Sequence, residues 1–274
     1  MVADTLIKDF DDKFVEYYFP DDPDYVLGSI GESALFPCGD FSAVVPEMSE
    51  RDIDAAIERI AAEHTGLDQL IVEIKNQLRE GSCVSQAVVQ ADQVGQAKEV
   101  GKDRVILLSA ISVYKEIAES ANSGAVVSHG LKQISKVGAL PLDTPENRKR
   151  FDGIVMPNTG FNEKYPKIWT PTANLFRVSE YYAIRTLRAL MTALCNRIPV
   201  VVGREGHSIC YLVPVRYKGR WGVLYANSWG EWGIAGGDFE RGFGIDTASQ
   251  IEKSARYAFA VRAVHNPQLY RGAA

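Results

Sequence analysis

The chain has 274 residues, 46% hydrophobic and 24% charged, with a formal net charge of -5. That length holds one large domain or two modest lobes with a sizeable core, and the composition is that of an ordinary soluble globule. An acidic chain without a basic stripe cannot neutralise phosphates, which excludes a nucleic-acid partner, and no apolar run is long enough to span a membrane.

Residues 1–12 lack the basic and apolar regions of a secretory signal, so a cytoplasmic location is expected. Cys38, Cys83, Cys195 and Cys210 are too few and too scattered for a disulfide framework. One bridge among the three other than Cys83 stays open. With no Cys-x-x-Cys or His-x-x-x-His pair, neither a metal nor a cofactor is expected.

Residues 1 to about 30 interleave aspartates with aromatics such as Phe10, Phe14, Tyr17 and Tyr18, and read as an extension lying on the body. The acidic groups form a solvated face or a cover over a cleft. Ser49 then caps a helix, with Asp52 reaching back, an apolar stripe from Ile53 to Ala61 and a stop at Gly66. Leu67 to Lys75 form a hydrophobic connection. Helical spacing resumes from Cys83 to about Val100, from Leu107 to about Ala121, and from Val127 to Val137. Prolines make Pro141 to Asn174 loop-rich.

A helix is expected from about Ser179 to Asn196, followed by strands at Ile198–Gly203, Ser208–Tyr217, Trp221–Asn227 and Tyr257–Val264. Helices first and strands later, without βαβ alternation, predict an α+β fold with segregated lobes.

Gly81-Ser82 delivers Cys83 to the first turn of a helix, where end N–H groups and the macrodipole favour a thiolate. Alone, such a cysteine is as readily a buried small hydrophobe. Downstream, His207 stands at the mouth of a strand, and Asn227 is suited to fix its tautomer while Trp229 keeps water off that bond. Cysteine catalysis needs this base, this orienter and an oxyanion donor. His64, His129 and His265 read as exposed or capping residues and Cys210 as core; Trp221 and Trp232 either line the cleft or pack.

At these residues the chain resembles the papain-like cysteine peptidases. Gln77 stands six residues before Cys83, Gly81-Ser82-Cys83 matches the middle of the family's active-site run, and Asn227-Ser228-Trp229-Gly230 reproduces its asparagine motif. The resemblance spans roughly residues 70–265. It implies a two-lobe α+β fold, a helical lobe (about 77–150) and an antiparallel β-barrel-like lobe (about 151–265), with the active site between them. Residues 1–68 then form an N-terminal extension with one helix packed on the catalytic domain, 69–274.

The implied activity is peptide-bond hydrolysis, with Cys83 as nucleophile, His207 as base and acid, Asn227 as orienter and Gln77 as oxyanion donor. Ser123, Gly124, Gly206 and Trp229 are the implied substrate-binding residues, and a protein or peptide is the substrate. The alternative is a catalytically silent binding or structural module on the same fold. Three departures stand out: Glu80 replaces a disulfide cysteine, Val84 a tryptophan and Ser123 a glycine. The missing disulfides and signal suit divergent bacterial or phage members; for a phage-encoded chain, virion or host cytoplasm is the alternative location. No oligomeric state is implied.

Overall fold

A computed structural model describes residues 38–165, 170–204, 206–254 and 257–265. The acidic, aromatic stretch at residues 1–30 lies outside these. Among the described residues eight α-helices precede or flank one sheet: α1 (Glu50–Glu63), α2 (Cys83–Val100), α3 (Ala110–Ile117), α4 (Val127–Lys136), α5 (Pro145–Arg150), the single turn α6 (Thr170–Ala173), α7 (Leu187–Cys195) and α8 (Ala248–Ser254). Seven strands, β1 (Arg177–Ile184), β2 (Val200–Gly203), β3 (Ser208–Tyr217), β4 (Arg220–Ala226), β5 (Ile234–Gly236), β6 (Phe239–Thr247) and β7 (Ala258–His265), pair antiparallel in the order β1-β7-β2-β3-β4-β6-β5.

The sheet is covered on both faces. Val201, Cys210, Leu212 and Phe259 belong to one core with α2, α3 and α4. Their neighbours Val200, Val202, Ile209 and Ala260 belong to a second core with α1 and α7. Side chains alternate across a strand, so these strands read as nearly continuous apolar runs. The helix α1 is thus a layer of the sheet's second face.

Ser49 caps α1 as expected, its Oγ accepting from Asp52 N–H at 3.2 Å. Its end is corrected: His64, left-handed at φ 52°, closes the helix, and Gly66 lies beyond it. The expected helix over Ser179–Asn196 is also corrected. Its first part is strand β1, which pairs with β7 from Arg177↔His265 to Ile184↔Ala258. Only Leu187–Cys195 is helical, started by Thr186, whose Oγ1 accepts from Ala189 N–H at 2.9 Å. Tyr181 and Tyr182 suit a half-buried strand, and β7 supplies the partner that local periodicity cannot reveal.

Candidate active site

The turn before Cys83 is tied to the Asn227 loop by backbone. Gln77 N–H donates to Ser228 O at 2.8 Å, and Gly230 N–H to Lys75 O at 2.9 Å, around a bridge between Asn76 and Trp229. Gly230 is required here: at φ 62° a Cβ would lie 2.9 Å from the Asn76 amide. The chain then doubles back, with Glu80 N–H donating to Gln77 O (3.1 Å) and Gly81 N–H to Ala121 O (2.7 Å), and α2 begins at Cys83. First-turn N–H groups of a helix have no intrahelical partner. The nucleophile candidate therefore sits among donors.

The amide of Gln77 is fixed at both ends. Its Oε1 accepts from the Ser228 hydroxyl at 2.6 Å, and its Nε2 donates to the Glu80 carbonyl at 2.8 Å.

His207 stands just before β3, behind a turn closed by Arg204 N–H donating to His207 O at 2.7 Å, with Gly206 at φ 75°. The His207 ring meets Asn227 Oδ1 through Nε2 at 2.9 Å. The same Oδ1 accepts Ser228 N–H at 2.8 Å. A backbone N–H can only donate, so that atom is oxygen, and Nε2 must carry the proton. In the neutral ring Nδ1 then holds the lone pair; it is buried and has no hydrogen-bond partner. Trp229 stacks on the imidazole with centroids 4.3 Å apart and planes 22° apart, and Trp232 meets Trp229 edge-on at 5.4 Å. Burial pushes the His207 pKa down to about 3, opposed by the Asn227 bond and helped by the Arg204 charge.

The helical and strand parts meet here. Gln86 and Ala87, one turn on from Cys83, line a small cavity together with Ser208, Asn227 and Ser228. Cys83 and Gln77 are 0% exposed, His207 and Trp229 2%, and Asn227 3%. A separate cavity of about 100 Å³ under α1, lined by Ile57, Ile60, Val213, Leu224, Ile234 and Ile245, contains none of these groups.

Ser123 turns its hydroxyl onto its own loop, accepting from Glu119 and Ser120 N–H at 3.1 Å. Gly124 N–H is bonded to Tyr114 Oη at 3.1 Å, so a substrate strand pairing there has to displace that hydroxyl. Val84 is buried against α4, where Gly130 leaves room for it: a Cβ on Gly130 would lie 2.9 Å from Val84 Cγ1. Trp221 packs on the second core and donates to Asp54 at 2.7 Å.

Sequence reading missed Ser228, Arg204 and Tyr114. Ser228 was detectable from its place beside Asn227. Arg204 was not: its buried ion pair with Asp246, shared with the Tyr211 hydroxyl, depends on β6. Among the described residues no group of His, Cys, Asp or Glu is placed to hold a metal ion, no disulfide forms, and no helix is long and apolar enough to cross a membrane.

The chain has the fold of the papain-like cysteine proteases. It is similar to digestive procathepsin L 3 of the Tenebrio molitor larval midgut, with a TM-score of 0.54 and 16% identity over 71% of this chain and 67% of that one. It is also similar to xylellain, a cysteine protease from Xylella fastidiosa (0.53, 18%, 70% and 82%), and to a recombinant stem bromelain precursor (0.51, 13%, 82% and 77%). No family model and no curated protein sequence matches the chain.

Proposed function

We propose that the chain is a cysteine peptidase that hydrolyses peptide bonds through a thioester. The supporting observation is the bond from His207 Nε2 to Asn227 Oδ1 beneath Trp229, which leaves Nδ1 as the ring's basic nitrogen. Cys83 gives its proton to that nitrogen and attacks the peptide carbonyl carbon. The carbonyl electrons move to oxygen, and the Gln77 side-chain N–H and the Cys83 backbone N–H donate hydrogen bonds to that oxyanion. His207 then protonates the leaving amine as the carbon–nitrogen bond breaks. In the second half His207 takes a proton from water, whose oxygen displaces the sulfur, releasing the acid and the thiol.

The substrate is a protein or peptide, and no metal or cofactor takes part. The test is cleavage of a mixed peptide library by the wild type and by Cys83→Ala. Cleavage by the wild type alone supports the reading. A folded wild type that cleaves nothing overturns it in favour of a binding module, and an alanine variant that cleaves equally well overturns it by removing Cys83 as the nucleophile.

A further inference from the structure

Glu80 lies in the turn between Gln77 and Cys83, and its two ends face different parts of the molecule. Through its backbone it holds Gln77 twice: its carbonyl accepts the Gln77 side-chain amide at 2.8 Å, and its N–H donates to the Gln77 carbonyl at 3.1 Å. Through its carboxylate it holds a distant loop. Oε1 accepts the consecutive N–H groups of Gly160 and Phe161, both at 2.8 Å. Two successive backbone N–H groups form a seat for an anion, and bonds to a carboxylate are roughly twice as strong as neutral ones. The second oxygen, Oε2, is buried with no hydrogen-bond partner. That is an unfavourable arrangement for an anchor that only stabilises.

The loop that Glu80 grips is itself held by side chains from the helical part. Asn158 Nδ2 donates to the Asn76 carbonyl and to Gln86 Oε1, both at 3.1 Å, so it touches the chain just before Gln77 and one turn after Cys83. Lys115 Nζ donates to the carbonyls of Phe161 and Glu163, and sits 5.4 and 5.0 Å from the ring centroids of Phe161 and Tyr165. Phe161 meets Tyr114 edge-on at 5.4 Å, and the Tyr114 hydroxyl contacts Ser120 O, Ala121 O and Gly124 N, each at 3.1 Å. One carboxylate thus joins the Gln77 turn to a loop braced against both sides of the site.

We propose that Glu80 is a positioning residue: by gripping Gly160 and Phe161 it fixes the 77–81 turn and keeps the Gln77 amide where the oxyanion forms. This rests on the peptidase reading above. On a cleaved peptide, Glu80→Ala lowers kcat about 10-fold or more with KM changed less than about 2-fold, because small misplacement of a catalytic group is costly. Glu80→Gln, which keeps an acceptor oxygen at Oε1, returns kcat to within about 3-fold of wild type. In a Gln77→Ala background, Glu80→Ala has no further effect, since both act through one group. If the alanine variant does not fold, Glu80→Asp, one methylene shorter with the charge kept, lowers kcat in the same way.

An unchanged kcat in a folded Glu80→Ala or Glu80→Asp overturns the proposal, as does a loss that multiplies with that of Gln77→Ala. Should the wild type cleave no peptide, the peptidase reading is what fails, and amide hydrogen exchange decides the clamp. Exchange in Glu80→Ala is then faster at Gly160, Phe161 and Gln77 together; unchanged protection at Gln77 refutes the coupling.

Discussion

Asn227→Ala tests the histidine's setting directly. The bond at 2.9 Å from His207 Nε2 fixes the tautomer and, on the proposed mechanism, becomes a bond to a charged donor once the ring takes the cysteine proton. Such bonds contribute about 1.5–3 kcal/mol, and with about 1.36 kcal/mol per tenfold in rate the loss in kcat/KM is about 10- to 150-fold. The upper part of that range applies, because Asn227 and the stacked Trp229 are nearly sealed from solvent. The sign of the pH effect follows from the same bond. Burial lowers the His207 pKa and the Asn227 bond raises it, so its removal makes the ring release its proton at lower pH. The basic limb of the kcat/KM profile therefore moves down, as an apparent value belonging to the cysteine–histidine pair. The assay is steady-state hydrolysis of a fluorogenic peptide from pH 4 to 10. A variant that keeps kcat/KM within about 3-fold and the same basic limb refutes the reasoning.

Gln77→Ala lowers kcat about 10²–10³-fold. Ser228→Ala, which removes only the 2.6 Å bond to Gln77 Oε1, lowers it by less; single-turnover hydrolysis compares the two. Asp246→Ala leaves the Arg204 charge buried without its carboxylate and destabilises the fold by about 3–5 kcal/mol, measured by urea unfolding. Asp92, buried in α2, has its pKa raised by burial from 3.8 to about 7, while Gln96 and Lys75 oppose the shift and Glu99 adds to it. The folded carboxyl keeps its proton where the unfolded one has lost it, so stability falls as pH rises between those values, by on the order of 4 kcal/mol. Asp92→Asn removes that slope in thermal unfolding from pH 3 to 8; a slope that persists contradicts the assignment.

The candidate site is legible where its residues are local in sequence. A small-residue turn before a helix marks Cys83, and Asn227 and Trp229 stand two residues apart, so the asparagine loop is recognisable before folding. What escaped depends on partners far along the chain. β1 reads as helix until β7 pairs with it. The glycine-rich β5 and β6 carry no strand in the sequence reading, although those glycines make room for rings: a Cβ on Gly236 would lie 2.7 Å from the Phe243 ring, and one on Gly244 2.3 Å from Tyr225. Glu80 read as a lost disulfide position, because its partners Gly160 and Phe161 come 80 and 81 residues later. Two-sided burial also explains why β2 and β3 are legible as apolar runs with little alternation.

The most direct measurement is the rate at which an epoxide thiol reagent modifies each cysteine of the folded chain, read by mass spectrometry of the digested protein. Burial pushes the Cys195 thiol up to about 12 and raises Cys210 as well, so both stay unmodified. The account predicts that Cys83 reacts first, ahead of the half-buried Cys38, and that His207→Ala slows Cys83 alone. Equal modification of all four cysteines, or a Cys83 rate indifferent to His207→Ala, contradicts it.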